Sequence, residues 1–165
     1  MLLNMKRFWI TITFLQVLIF ALVSCSKQAN TTSTNNVYEL TLGNKTIFAE
    51  IAISEHQKAK GLMFRKSMPE NNAMIFVFDT PKEMSFWMKN TEIPLDIAFL
   101  TKDGEITEIK KMYPHNLNPV KSARSDILYC IETNAGWFEK NNVNVGEKLD
   151  MQTFYKILKK RKAIK

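Results

Sequence analysis

A mainly-β fold is what the sequence predicts, either a compact antiparallel β-sandwich or an open barrel, with one or two short helices. Three observations predict it. Runs of six to eight β-branched and aromatic residues recur from Val37 onward. Gly, Asn and Asp turn signals separate them at short intervals. A complete helix-start signal occurs only briefly, after Ser54. Many short strands with few helices are the pattern of a two-layer β domain.

In chain order, "VYELTL" and "TIFAEIAI" flank "GNK" and read as a hairpin. In "SEHQKAKG", Ser54 and Gln57 have capping-box spacing and Gly61 can end the turn left-handed, which predicts a helix over Glu55 to Lys60. "AMIFVF" is apolar on both faces and belongs at the centre of the sheet. "MSFWM" and "LDIAFL" are the next strands. Asp103-Gly104 is a strong hairpin signal leading into "ITEIKKM", whose imperfect alternation suits a bulged or edge strand. "YPHNLNPVKSARS" is a long loop, "DILYCIE" a strand, "AGWFEKNN" a helical turn, and "GEKLDMQTF" is expected to hold the last strand.

The chain before Val37 reads as targeting rather than fold. Lys6 and Arg7 precede the apolar run "FWITITFLQVLIFALVS", which is short for a membrane span and ends in "LVSC", a lipobox-like sequence. Residues 1–24 are therefore expected to be a lipoprotein signal peptide and Cys25 the lipidated residue. Each buried methylene of an acyl chain contributes roughly 0.8 kcal/mol, so two or more chains make a stable anchor. "SKQANTTSTNN" has no apolar residue larger than alanine, which makes 25–36 a lipidated cysteine plus flexible tether with a mean reach of roughly 18 Å. Ser26, rather than an aspartate, after the cysteine favours an outer-membrane destination facing the periplasm. Residues 37–155 are expected to be one mainly-β domain and 156–165 a basic tail.

The formal net charge of +7 is unevenly placed. Lys6, Arg7 and six basic residues of "KILKKRKAIK" account for it, and the intervening domain is close to neutral. A nucleic-acid groove is thereby excluded. The tail can meet anionic lipid or simply solvent. With Cys25 lipidated, Cys130 has no disulfide partner.

The segment "SFWMKNTEIPLDIAFL" raises the question of a site. On strand geometry Met84, Phe86 and Met88 share one face, and Ser85, Trp87 and Lys89 the other. Leu95, Ile97 and Phe99 likewise oppose Asp96, Ala98 and Leu100. Pro94 marks a strand start, and Asn90-Thr91 has turn chemistry. A half-buried Asp96 needs partners, and Arg65, Lys89 and Asn90 are the candidates. Asp96 then either locks the turn or belongs to a ligand-binding patch of Arg65, Ser85, Trp87, Lys89, Asn90, Asp96 and Glu132. Trp87 is a stacking platform if it faces outward and core if both sheet faces are covered.

Other chemistry is thinly supported. Met84, Trp87, Met88 and His115 resemble a copper(I) set, but Met84 and Met88 would lie about 13 Å apart along a strand. His56 has no second ligand nearby, and CxxC and HExxH motifs are absent, so neither metal nor cofactor is expected. There is no G-x-S-x-G and no glycine-rich phosphate loop. Cys130 with His115 reads as an inert mid-strand thiol rather than a nucleophile. Asp96 with Glu132 offers a carboxylate pair for glycoside hydrolysis if both face one cleft.

"GLMFR", "MIFVF", "SFWMKNTEIPLDIAFL", "YCIE", "AGW" and "VGEKL" occur in the order seen in domain-of-unknown-function family 192, which the chain resembles from about Val37 to Thr153. The resemblance implies a single sandwich-type β domain in a small, often exported protein, and it implies no activity. Cys130 stands where that family more often has an aliphatic residue. The expectation is a monomeric, lipid-anchored envelope protein that binds a saccharide or other small envelope ligand without catalysis. The alternatives are an envelope-glycan hydrolase and a purely structural lipoprotein.

Overall fold

The computed structural model describes residues 37–163. The signal peptide, Cys25 and the tether lie outside the described residues.

Strands β1 (Val37–Leu42) and β2 (Lys45–Ala52) form the expected hairpin, turning at Gly43 with φ 61°. Helix α1 (Glu55–Lys60) starts on the capping box: the Ser54 hydroxyl accepts the Gln57 N–H, and the Gln57 side chain accepts the Ser54 N–H. Strands β3 (Asn72–Lys82), β4 (Ser85–Phe86), β5 (Leu95–Thr101), β6 (Ile106–Met112), β7 (Val120–Lys121) and β8 (Ile127–Asn134) follow. Two further helices, α2 (Trp137–Asn141) and α3 (Met151–Ala163), complete the order.

The mainly-β class is as expected. Six strands make one sheet in the order β1-β2-β3-β8-β5-β6, and β4 with β7 forms a separate ribbon. The sheet is mixed, because β2 and β3 run parallel while every other pair is antiparallel. The connection from Ile53 to Asn71, with α1 inside it, is long enough for the crossover that parallel neighbours require. β6 is the edge strand anticipated from its irregular pattern, with a register shift opposite Phe99 and Leu100.

Strand parity divides the interior into two cores. Ile47, Ile75, Ala98, Leu100 and Ile131 face one side, where Trp137, Phe138 and Phe154 from α2 and α3 cover them. Phe76, Ile97, Phe99 and Cys130 face the other, beneath Leu62, Met84, Met88 and Ile93. Both faces are covered, which is why β5 is buried along almost its whole length.

The expected last strand in "GEKLDMQTF" is not one. Residues 146–150 run as a strap: Gly146 N–H and Leu149 N–H donate to Ile106 and Gly104 beside β6, and Asp150 N–H donates to Thr41 of β1. Single bridges join Leu42 to Leu149 and Glu105 to Lys148. The strap thus ties together the two outermost strands of an otherwise open sheet. Asp150 then ends it by accepting the N–H groups of Gln152 and Thr153, an N-cap that turns the chain into α3. The presumed basic tail is helical through Ala163, continuous with this helix. Among the described residues no helix is long and apolar enough to cross a membrane.

Candidate binding site

A cavity of about 250 Å³ opens between α1, β3, the β4 ribbon and the end of β8. Four aromatic side chains stand among the polar and aliphatic residues of its wall. Phe76 and Phe78 alternate with Val77 along β3 and so point the same way, and Phe86 meets both edge-to-face, with centroids at 5.0 and 6.4 Å. Trp87 stands at the lip with 52% of its surface exposed. Lys58 and Lys60 of α1 border the opposite rim. The Lys58 ammonium lies 2.6 Å from Glu55 and 4.7 Å from the Phe78 ring centre.

Glu132 lines this cavity from β8 and is 5% exposed. It shares a sheet face with Cys130 and sits opposite Met74 of β3 and Ile97 of β5. No hydrogen bond among the described residues engages its carboxyl, whose oxygens, unlike Asp96 Oδ1, open on the cavity rather than being sealed from solvent. Burial raises its pKa to about 8, with the Arg65 charge offsetting only part of that cost. The raised pKa favours the protonated acid, which can donate one hydrogen bond and accept another.

The patch anticipated around Asp96 divides in three. Ser85, Trp87 and Glu132 line the cavity. Arg65, Lys89 and Asn90 lie outside it, in the loops nearby. The Arg65 guanidinium is committed to Glu50, with paired hydrogen bonds of 2.5 and 2.9 Å, and is not a partner of Asp96. Lys89 sits 5.2 Å from the Trp87 ring centre. Asn90 adopts φ 55° and its carbonyl accepts the Phe64 N–H.

Asp96 is on the other face of the sheet. It is buried, and one carboxyl oxygen accepts the Gly136 N–H at 2.7 Å, where the chain turns into α2. The other oxygen has no partner. Burial raises its pKa, the Gly136 hydrogen bond and Lys111 opposing. Neither Arg65, Lys89 nor Asn90 compensates it, because parity points Asp96 away from all three. For the same reason Asp96 and Glu132 share no cleft, and the carboxylate-pair hydrolysis considered above has no geometry to act through.

Phe76, Phe78, Phe86, Lys58 and Lys60 are among the lining residues that sequence reasoning missed. The alternation "FVF" was the available signal for two of them. Cys130 is buried, and that burial holds its thiol well above its usual range, which leaves it unreactive. Among the described residues no three of His, Cys, Asp and Glu converge in a way that could hold a metal ion.

A family model for DUF192, described as an uncharacterized ACR, matches residues 38–151. No curated protein matches. Similar solved structures include two crystal structures. One is a protein of unknown function from Novosphingobium aromaticivorans, at 30% identity and TM-score 0.65, covering 69% of this chain and 84% of that one. The other is a proposed transcription regulator from Sinorhizobium meliloti, at 31% identity and TM-score 0.63, covering 68% and 89%.

Proposed function

The chain belongs to the uncharacterised DUF192 family, and from that premise we propose that its domain is a non-catalytic binding module for an envelope saccharide. In this reading a lipid on Cys25 holds it at a membrane of the cell envelope, on the periplasmic side and preferably at the outer membrane, as a monomer. The lipobox-like "LVSC" after a short apolar run supports the anchor.

One observation carries the binding role: Glu132, a buried acid engaged by no hydrogen bond among the described residues, lines a cavity walled in part by aromatic rings. A buried polar group without a partner is costly to a fold, and a ligand that supplies the partner recovers that cost. Aromatic walls suit the apolar face of a sugar ring, and Trp87 is exposed enough to stack on one. The cavity lies just below the usual range for small-molecule sites, which suits a single ring rather than an extended chain. Catalysis is disfavoured because the second carboxylate faces away.

The test is a titration of the full chain with N-acetylglucosamine oligomers, whose acetamido carbonyl is an acceptor for a protonated acid. Tryptophan emission is followed, and Trp87→Ala and Glu132→Ala are run in parallel. Saturable change in the wild type, reduced at least tenfold in affinity in both variants, supports the reading. A flat response in the wild type, or equal affinity in all three proteins, overturns it.

A further inference from the structure

Three loops meet beside the cavity mouth: 62–66, 87–93 and 113–118. Main-chain hydrogen bonds stitch them into one plate. Phe64 N–H donates to Asn90, Met88 N–H to Asn116, and His115 N–H to Thr91, at 2.8, 2.9 and 3.2 Å. The plate is rigid in an unusual way. Phe64, Asn90 and His115, one in each loop, have φ of 65°, 55° and 60°. For a phenylalanine that conformation is disfavoured, because its Cβ crowds the backbone. It is tolerated where surrounding contacts over-determine it, and such places concentrate at functional surfaces.

Among polar neighbours, the plate exposes four large apolar side chains. Phe64 is 66% exposed, Tyr113 63%, Leu117 62% and Trp87 52%. A strained backbone that holds a phenylalanine in water has no stability rationale. Lys89 stands over the Trp87 ring without a carboxylate partner among the described residues, whereas Lys66 of the first loop is paired with Glu92 of the second. Aromatic rings with an unpaired lysine beside them match a membrane–water boundary, where rings sit at headgroup level and an ammonium group reaches phosphates.

We propose that this plate of Phe64, Trp87, Tyr113 and Leu117 docks on the lipid bilayer to which the chain is tethered, seating its rings at the headgroup–acyl boundary. The inference rests on the lipid-anchored half of the proposed function and shares Trp87 with the saccharide reading, so lipid and sugar compete for that ring. The path of the chain argues for this occupant. Val37, where the tether ends, is paired in register with Glu50, and Glu50 holds Arg65, the neighbour of Phe64. Only residues 26–36 separate that point from Cys25, so a bilayer holding the lipid stays within reach of the plate.

The experiment uses the mature lipidated chain from Cys25 onward, whose tryptophans are Trp87 and the buried Trp137. It is reconstituted into vesicles of phosphatidylethanolamine and phosphatidylglycerol, with or without bromine on the acyl chains. Sedimentation with vesicles reports the anchor, and bromine quenching reports the plate. Docking predicts that Trp87 emission falls by about half on brominated lipid. Phe64→Ser with Leu117→Ser should weaken that quenching at least twofold without loss of sedimentation. Sedimentation with no bromine quenching, while aqueous iodide still quenches Trp87, overturns docking and leaves the anchor standing. Failure to sediment overturns both. Shielding of Trp87 from iodide and bromine alike assigns the plate to a second protein copy and overturns the lipid.

Discussion

Asp96 and Glu132 lie in adjacent strands of one sheet, one register step apart, with their carboxyls on opposite faces. Asp96 pairs with Thr133 and Ile97 with Glu132, so the two acids serve different neighbourhoods. Asp96 fixes the Gly136 turn from beneath α2, whereas Glu132 opens on the aromatic cavity. Replacing each in turn should therefore separate fold from binding.

For Asp96, Asp96→Ala removes the acceptor of a buried N–H and should cost about 1–3 kcal/mol. Asp96→Asn keeps an acceptor for Gly136 and should cost less. Thermal melts check the order, and N-acetylglucosamine titrations of the surviving folded protein should match the wild type in both.

For Glu132 the sign is opposite. Its folded-state pKa is about 8 against an ordinary 4.5. Its neutral form is favoured in the fold, so the fold is undisturbed by this group below about pH 4.5 and loses stability as pH rises from there to about 8. Glu132→Gln removes that loss. The variant should melt with the wild type near pH 4 and several degrees above it at pH 8, a gain on the order of a few kcal/mol. Melting curves from pH 4 to 9 check this. Greater stability with weaker ligand binding is the pattern of a residue retained for its site.

At Phe64, the side chain stabilises little because it is mostly in solvent, and its left-handed backbone costs roughly 1–2 kcal/mol. Phe64→Gly relieves that strain while adding freedom to the unfolded chain, which offsets up to about 1 kcal/mol. Stability should be equal to or above the wild type in denaturant titrations, with vesicle quenching of Trp87 reduced.

At Gly104, a Cβ would fall 2.5 Å from the Met151 sulfur and 3.2 Å from the Leu149 carbonyl, on a backbone at φ 76°. Gly104→Ala should destabilise the fold by about 1–3 kcal/mol, because it pushes the strap off the β5–β6 turn. Hydrogen exchange should localise the loss to residues 146–150 and the start of α3.

Local chemistry was legible in the sequence and long-range pairing was not. The Ser54 capping box, the Gly43 turn and the alternation of Met84, Phe86 and Met88 against Ser85 and Trp87 all depend on residues within a few positions of one another, and all appear as read. The parallel β2–β3 pairing depends on where a long crossover lands. The opposed faces of Asp96 and Glu132 depend on a register between strands far apart in the chain, and one residue of slip would reverse them. Arg65 was assigned to the wrong acid because Glu50 becomes its neighbour only after the crossover. The helix after Asp150 was missed although its cap was present. "KLDMQTF" also alternates tolerably as a strand, and the N-cap decided the outcome.

The strap across β1 and β6 bears on how the domain behaves when crowded. Open sheets invite neighbours to add a strand. By occupying main-chain groups of Thr41, Gly104 and Ile106, residues 146–150 leave little at those ends of the sheet for another copy to zip onto. At high concentration the domains can therefore stay separate instead of hardening into fibrils.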